Sequence, residues 1–164
     1  MSRLPTPDEW AGVKREASAA GEGGPQDVPI PASLVRAIIA AAREGLPNEA
    51  CGLLVARGYA ASGVAPHRWV ALTNAAASPY RYFIDPEEQL RVWMEVDEAD
   101  EVVWGIVHSH VASPARPSAT DVGLAYYPDS LYLVCSLADP QKPDLRAWSI
   151  RDGVVSEVSL IVGE

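Results

Sequence analysis

The sequence predicts one α/β or α+β domain, in which helices pack on a β-sheet. Two observations lead to this fold class. Short apolar runs bounded by turn residues are typical of strands, and two stretches between them carry apolar residues at helical spacing. The chain has 164 residues, of which 48% are hydrophobic, so it can bury one substantial core but is short for a second full domain.

Residues 1–27 are predicted to form a flexible N-terminal extension, and residues 28–164 the folded domain. The extension is rich in Gly, Ala, Ser and charge and shows no sustained hydrophobic period, although DEWAGVKREA could form a short helix. In the segment PIPASLVRAIIAAAREGLP the pattern becomes helical, and Gly45 and Pro47 end this helix. The apolar residues of the helix that recur at helical spacing are Leu34, Val35, Ile38, Ile39 and Ala42.

A strand pair and a second helix follow. The run ACGLLVARG is typical of a buried strand, and HRWVALTN is its predicted partner after a Gly-containing loop. The helix is predicted in DPEEQLRVWMEVDEAD, where Asp85 can cap, Pro86 occupies the first helical position and Glu88 falls at N3. One face of this helix is predicted to divide the core from solvent, and it carries Leu90, Trp93, Met94 and Val96 or Asp97.

The second half of the chain is predicted to be mostly strand. EVVWGIVHSH is nearly all apolar up to its first histidine, which indicates a central strand covered on both sides. A short helix is predicted from Ser118 to about Tyr126. Three more strands are predicted in SLYLVCSL, DLRAWSI and VVSEVSLIV, and Asp152-Gly153 joins the last two as a hairpin.

The composition excludes several classes of function. A formal net charge of -9 argues against a nucleic acid or an anionic membrane as the main partner, because both require clustered Lys and Arg. No apolar run reaches the length of a membrane span. The two cysteines, Cys51 and Cys135, lie far apart in apolar strands without a CxxC pattern, so we expect a cytoplasmic protein without disulfides.

One short stretch, VHSHVASPARPSATD, carries a metal-ligand pattern. Residues two apart on a strand point to the same face, with Cα atoms roughly 6 to 7 Å apart, so that the imidazoles of His108 and His110 can converge on one ion. Asp121 can return to the same point if the intervening loop folds back. Two histidines, one aspartate and a water make a four-coordinate zinc with an open catalytic position.

The same residues also have an ordinary structural interpretation. A His-x-His pattern on a strand is more often a surface or packing coincidence than a metal site. Ser118 and Asp121 form an S-x-x-D helix start, with Ser118 as N-cap and Asp121 at N3. The two interpretations are compatible, since a helix start fixed by Ser118 would hold Asp121 in place.

The pattern resembles the JAMM (MPN+) metalloproteases. His108-Ser109-His110, seven residues, Ser118, two residues and Asp121 match the motif H-[ST]-H-x7-S-x2-D in full, and NEACGLL places Glu49 at the family's upstream glutamate. The resemblance runs from about Ile30 to the C-terminus. It is closest to the bacterial Mec-type peptidases, as the following stretches suggest: TNAAASPYRYFIDPEEQLRVW, DEADEVV, TDVGLAYYPDSLYLVCSL and LRAWSIRDG. The chain departs from many members in having Val111, rather than Pro, after the second histidine.

The resemblance implies a fold, a cofactor and residue roles. The fold is JAB/MPN-like and cytidine-deaminase-like, a mixed β-sheet flanked by helices, and residues 28–164 form the metalloprotease domain. One Zn²⁺ per chain is bound by His108, His110 and Asp121, Glu49 moves the proton, and Ser118 stabilises the oxyanion. Arg116 and Asn74 are candidate contacts for the substrate tail, with plain loop surface as the alternative. The five tryptophans are expected to be mostly core or edge cover, although Trp104, just before the site strand ends, could wall the cleft.

The resemblance also implies a substrate class. Mec-type peptidases act on ubiquitin-like sulfur carrier proteins of the ThiS/MoaD type and cleave after the C-terminal Gly-Gly to release an amino acid such as cysteine. Two alternatives stay open, a deubiquitinase-like isopeptidase acting on protein conjugates and a non-catalytic, zinc-stabilised module that binds the carrier. Other zinc hydrolases fit poorly because the chain has no HExxH. A homodimer is possible through exposed strand edges.

Overall fold

The computed structural model describes residues 27–164, so the predicted extension over residues 1–27 lies, apart from its last residue, outside the described part. Three helices lie in this part, α1 (Ala32–Gly45), α2 (Pro86–Glu98) and α3 (Ala119–Gly123), together with a 3-10 turn at Ala60–Ser62. The strands are β1 (Val28–Pro31), β2 (Cys51–Ala56), β3 (Arg68–Leu72), β4 (Val102–His110), β5 (Leu131–Ser136), β6 (Asp144–Arg151), β7 (Val154–Val158) and β8 (Leu160–Gly163). Among these helices, none has the length and apolar content of a membrane span.

The central sheet has six strands in the order β3-β2-β4-β5-β6-β7. Strands β4 and β5 are parallel, and the chain crosses between them through α3, whereas all other neighbours in this sheet are antiparallel. Strand β1 pairs with β8 in a separate parallel ribbon. The predicted mixed sheet flanked by helices is therefore confirmed, with β4 in its interior.

The sheet separates two hydrophobic cores. One core lies beneath α1 and the β1–β8 ribbon and includes Ile38, Ala42 and Leu133. The other lies beneath α2 and the segment after α3 and includes Val92, Val96 and Ile106. Both faces of the sheet are covered, which agrees with the nearly unbroken apolar sequences of its middle strands.

Strand β4 contains a β-bulge at Trp104. Its pairing with β2 shifts register between Leu54 and Val55, which face Gly105 and Val103. Trp104 packs in the core beneath α1 and donates from Nε1 to the Val64 carbonyl over 2.8 Å. The expectation that Trp104 walls the cleft is therefore wrong, because the bulge turns this side chain to the opposite side of the sheet from Ile106.

Two predictions about elements need correction. The run VVSEVSLIV is not one strand, because the strand is interrupted at Ser159. Its second half, β8, pairs with β1, a strand that the sequence analysis did not predict. Four residues with prolines at positions 29 and 31 carry little strand signal, although proline is tolerated at such an edge. In α2 the buried residues are Val92 and Val96, whereas Met94 is exposed.

The predicted start of α2 is confirmed. Asp85 is the N-cap, and its Oδ1 accepts from the main-chain N–H groups of Glu87 and Glu88 at 3.0 Å each. The Glu88 carboxylate does not return to the cap but accepts from the main chain and the hydroxyl of Thr73, at 2.7 and 2.9 Å. This pair fixes the start of α2 against the end of β3.

Candidate metal centre

Three side chains from two elements converge at one point. His108 and His110 lie at the end of β4, and Asp121 lies in the first turn of α3. The two Nε2 atoms are 3.1 Å apart, and Asp121 Oδ2 lies 3.1 Å from Nε2 of His108 and 3.3 Å from Nε2 of His110. The loop after β4 therefore folds back as the metal-ligand pattern requires.

The size of this triangle fits a shared cation. Ligands of a tetrahedral zinc, each about 2.0 to 2.1 Å from the ion, stand about 3.3 to 3.4 Å apart. The two imidazoles cannot both donate from Nε2 to Asp121, because their N–H groups would then face each other at 3.1 Å. These three side chains could hold one metal ion.

Asp121 is fixed by a capping box. The main-chain N–H of Ser118 donates to Asp121 Oδ2 at 2.7 Å, and the main-chain N–H of Asp121 donates to Ser118 Oγ at 3.1 Å. The capping interpretation of the S-x-x-D pattern is therefore confirmed, and the same box holds Asp121 beside the two imidazoles. The bond that Ser118 Oγ accepts leaves the hydroxyl proton for another partner, and the residue is exposed.

His110 is oriented by the loop that follows β4. Its Nδ1 donates to the Pro114 carbonyl over 2.8 Å, which leaves the Nε2 lone pair facing the centre. Two further donors hold the loop, since Ser136 Oγ donates to the Ser113 carbonyl at 2.6 Å and Trp148 Nε1 to that of Ala115 at 3.0 Å. These three bonds fix the loop that begins at Val111.

His108 is buried and covered by an aromatic ring. Tyr82, in the loop between β3 and α2, stacks on it with ring centroids 4.3 Å apart and planes 16° from parallel. His108 Nδ1 has no hydrogen-bond partner among residues 27–164. The sequence analysis did not predict a role for Tyr82, because nothing in the local sequence indicates that an aromatic residue in a loop contacts a distant histidine.

Glu49 lies beside the triangle, between α1 and β2. It is 3% exposed, and its Oε1 is 4.0 Å from Nε2 of His110. One ligand atom each from Glu49, His108 and His110 lies within 4.8 Å of the others, and Glu49 Oε2 has no hydrogen-bond partner in the described part of the chain. An unpaired, buried carboxylate oxygen at this distance suits a neighbouring cation or its water.

Burial and mutual contacts shift the pKa values of the centre. Burial raises the pKa of Glu49 to about 7, with His110 opposing the shift and Asp121 adding to it. Burial lowers the pKa of His108. Burial alone would raise the pKa of Asp121, but its contacts with the two imidazoles outweigh this and hold it well below its usual range. Burial alone would lower the pKa of His110, but its hydrogen bonds with Asp121 and the Pro114 carbonyl outweigh this and raise the pKa.

The structure brings together all five residues singled out for the site, namely Glu49, His108, His110, Ser118 and Asp121. The two candidate tail contacts behave differently. The Arg116 guanidinium lies over the Trp148 ring, 5.6 Å from its centroid, and the Asn74 side chain turns inward to main-chain groups. The predicted core positions of Cys51 and Cys135 are confirmed, since both are buried free thiols.

Known proteins are similar to this chain in sequence and fold. A family model described as prokaryotic homologs of the JAB domain matches residues 31–151. A "CysO-cysteine peptidase" from Mycobacterium tuberculosis is 46% identical over 135 residues, which cover 82% of this chain and 90% of that protein. A "Desampylase" from Haloferax volcanii is 38% identical over 104 residues, 60% of this chain and 73% of that protein. The solution structure of a Desulfitobacterium hafniense protein matches with a TM-score of 0.74 and 38% identity, covering 84% of this chain and 93% of that one.

Proposed function

Because this chain belongs to the family of prokaryotic JAB domain homologues and is a peptidase, we propose that it is a zinc-dependent enzyme acting on a ubiquitin-like sulfur carrier protein. It hydrolyses the bond after the carrier's C-terminal Gly-Gly and releases an amino acid such as cysteine. The observation that carries this proposal is the triangle of His108, His110 and Asp121 beside the buried Glu49. The name of the relative from Mycobacterium tuberculosis supports the choice of substrate.

In this proposal His108, His110 and Asp121 hold one Zn²⁺ per chain. Two imidazole nitrogens and one carboxylate oxygen form a donor set that zinc prefers, and three protein ligands leave a position open for chemistry. When bound, the ion lowers the pKa of water toward about 7 and polarises the scissile carbonyl. The Pro114 carbonyl keeps the His110 ring in the orientation and tautomer that ligation needs.

Glu49 is the general base and then the general acid. It accepts a proton from the attacking water as the new C–O bond forms, and it gives that proton to the leaving amine as the C–N bond breaks. A pKa of about 7 suits both steps, since the group can exist in either form near neutral pH. Its 4.0 Å distance from His110 Nε2 supports a place beside the metal ligands and not among them.

Ser118 donates a hydrogen bond to the oxyanion that develops on the scissile carbonyl. Its hydroxyl accepts from the Asp121 main chain, which fixes the oxygen without using the hydroxyl proton. A fixed donor of this kind is worth more in the transition state than a mobile one, because no reorganisation accompanies the reaction. Its exposure at the start of α3 supports a position on the substrate side.

A second candidate is an isopeptidase that acts on protein conjugates. The observation that favours it is the similarity to a protein named desampylase. Large family members that act on polyubiquitin carry an additional Cys/His zinc insertion, and this sequence has one cysteine and no histidine after Asp121. A non-catalytic binding module would not need Glu49 and Ser118 at these positions, so the peptidase is preferred.

The test combines zinc analysis with intact mass. Purified protein, with and without chelator, is mixed with a ubiquitin-like carrier that ends in Gly-Gly followed by one cysteine. We expect one zinc per chain and loss of the cysteine residue's mass only when zinc is present. An unchanged carrier together with cleavage of an isopeptide-linked conjugate would favour the second candidate, and zinc binding without either cleavage would favour the binding module.

The variant Glu49→Gln is the matched control for this test. It keeps the shape of the side chain and leaves the three proposed zinc ligands in place, so it should retain one zinc per chain. Its turnover should fall by about 10² to 10⁴, the usual contribution of a general acid or base. Turnover at the wild-type rate would contradict the role given to Glu49.

A further inference from the structure

We propose that Asn74 is a positioning residue of the metal centre. Its side-chain amide fixes the main chain at Glu49 and ties it to the loop that lays Tyr82 over His108. This inference rests on the proposed function in one respect, because it takes Glu49 as the proton-transfer group. Asn74 itself lies two residues after the end of β3 and is half-buried.

The amide of Asn74 is fully engaged. Its Nδ2 donates to the Glu49 carbonyl at 3.0 Å and to the Arg81 carbonyl at 3.1 Å. Its Oδ1 accepts from the main-chain N–H groups of Ala76 at 3.0 Å and Phe83 at 2.9 Å. Two donors and two acceptor sites are all that an asparagine side chain offers, so only an amide of this length satisfies these four groups.

These bonds organise the loop between β3 and α2 around one side chain. The two ends of the loop also meet through a bridge between Asn74 and Ile84 and a 2.7 Å bond from the Ala75 N–H to the Phe83 carbonyl. Tyr82 lies inside the segment closed in this way and stacks on His108. Asn74 therefore connects the loop that carries Tyr82, which covers His108, to Glu49, which lies beside His110.

The main chain at Glu49 is held from two sides. The loop holds one side, because the Glu49 N–H donates to the Ser78 carbonyl at 2.9 Å and the Glu49 carbonyl accepts from Asn74. Strand β4 holds the other, because the N–H of Ala50 donates to Ser109 Oγ at 2.8 Å and its carbonyl accepts from the Ser109 N–H at 2.9 Å. Without Asn74 the loop would hold Glu49 only through the bond from the Glu49 N–H to the Ser78 carbonyl, and we expect that remaining bond to open more often.

This main-chain tie determines where the carboxylate lies. Glu49 Oε2 has no hydrogen-bond partner among the described residues, and Oε1 is 4.0 Å from the nearest His110 nitrogen. The hydrogen bonds that hold Glu49 are therefore those of its main chain. A shift of about 1 Å in a group that moves protons can cost about 10²-fold in rate.

Two variants separate the functions of the amide. Asn74→Asp keeps an oxygen to accept from Ala76 and Phe83 but places a second acceptor against the Glu49 and Arg81 carbonyls. Asn74→Ala removes all four bonds. Thr73→Val is the matched control, because it deletes only the neighbouring hydroxyl bond to Glu88 and leaves the Asn74 contacts intact.

The kinetic experiment measures kcat and KM on the carrier–cysteine substrate, with kcat expressed per bound zinc and taken at the plateau of the pH profile. We expect Asn74→Asp and Asn74→Ala to lower kcat by about 10- to 100-fold while KM changes less than about threefold. Zinc stoichiometry stays at one per chain, and Thr73→Val stays within about twofold of wild type. A wild-type kcat in Asn74→Asp would overturn the inference.

Amide hydrogen exchange provides a readout that does not depend on activity. The Glu49 N–H should exchange faster in both Asn74 variants, whereas the Ala76 and Phe83 N–H groups should lose protection in Asn74→Ala and keep it in Asn74→Asp. Unchanged protection of Glu49 in both variants would refute the tie. If wild-type protein cleaves no carrier but the two Asn74 variants show these exchange patterns relative to wild type, the proposed function fails and the tie between Asn74 and Glu49 is supported.

Discussion

Metal-free protein carrying Glu49→Gln should respond to pH differently from metal-free wild type. The Glu49 carboxyl is buried, and its pKa is raised from 4.5 to about 7, chiefly by burial. Between these two values the folded chain holds a proton that the unfolded chain has released. The free energy of unfolding of the wild type therefore falls as pH rises through this window and levels off above it.

The size of the effect follows from the shift. One pKa unit corresponds to about 1.4 kcal/mol, so a rise from 4.5 to about 7 corresponds to about 3 kcal/mol of stability lost between pH 4.5 and pH 8. Glutamine cannot ionise and does not lose this contribution. The variant should therefore match the wild type near pH 5 and exceed it by about 2 to 3 kcal/mol near pH 8.

Urea unfolding of chelator-treated protein at pH 5 and pH 8 checks this expectation. The other titrating groups are present in both proteins, so their contributions cancel in the difference except for the part that comes from their interaction with Glu49, as at His110. Glu44→Gln, at an exposed position in α1, is a suitable control and should show the same difference from wild type at both pH values. If the difference between Glu49→Gln and wild type is also the same at both pH values, the carboxylate is not desolvated as described.

Three further predictions concern the ligands and their supports. Asp121→Asn, which keeps an oxygen for the Ser118 N–H, should fold but bind zinc far more weakly, by about 10²-fold or more in a chelator competition assay. Ser118→Ala should lower kcat by about 10² to 10³ with zinc retained, and should lower the free energy of unfolding by about 1 kcal/mol through loss of the N-cap, measured by kinetics and urea unfolding. Trp148→Phe should weaken zinc binding about tenfold without abolishing it, because the loop carrying the Pro114 carbonyl loses its bond at Ala115; wild-type affinity in the competition assay would contradict this.

The sequence was most informative where residues close in the chain act together. His108, His110 and Asp121 lie within one strand, loop and helix start, so strand alternation and cap chemistry allowed their convergence, and the match to the family motif made it the expected arrangement. Glu49 was different, because a single glutamate before a strand has no local pattern, and only the family resemblance pointed to it. Its burial and its raised pKa depend on contacts far apart in the sequence.

The missed features share a physical cause. Tyr82 stacks on a residue 26 positions away, and Asn74 bonds to a carbonyl 25 positions away, so neither contact leaves a periodic signal. The β1–β8 ribbon joins the two ends of the described chain through a strand of four residues, too short for a period to be recognised. Trp104 lies on the side of the sheet away from the metal centre because β4 contains a bulge, and a bulge leaves no mark in the sequence pattern of this strand.

That bulge corrects a mismatch of parity. Successive residues of a strand point to opposite faces of the sheet. In β4, both Val103 at the start and the two histidines at the end point to the α2 side. If alternation ran unbroken from Val103, both imidazoles would lie under α1. The extra residue, Trp104, shifts the alternation by one position, so the imidazoles point to the side of Asp121. A single residue inserted between the bulge and His108 would therefore move the chemistry to the other side of the sheet without breaking the strand, so the length of this short segment is as restrictive as the identity of the histidines.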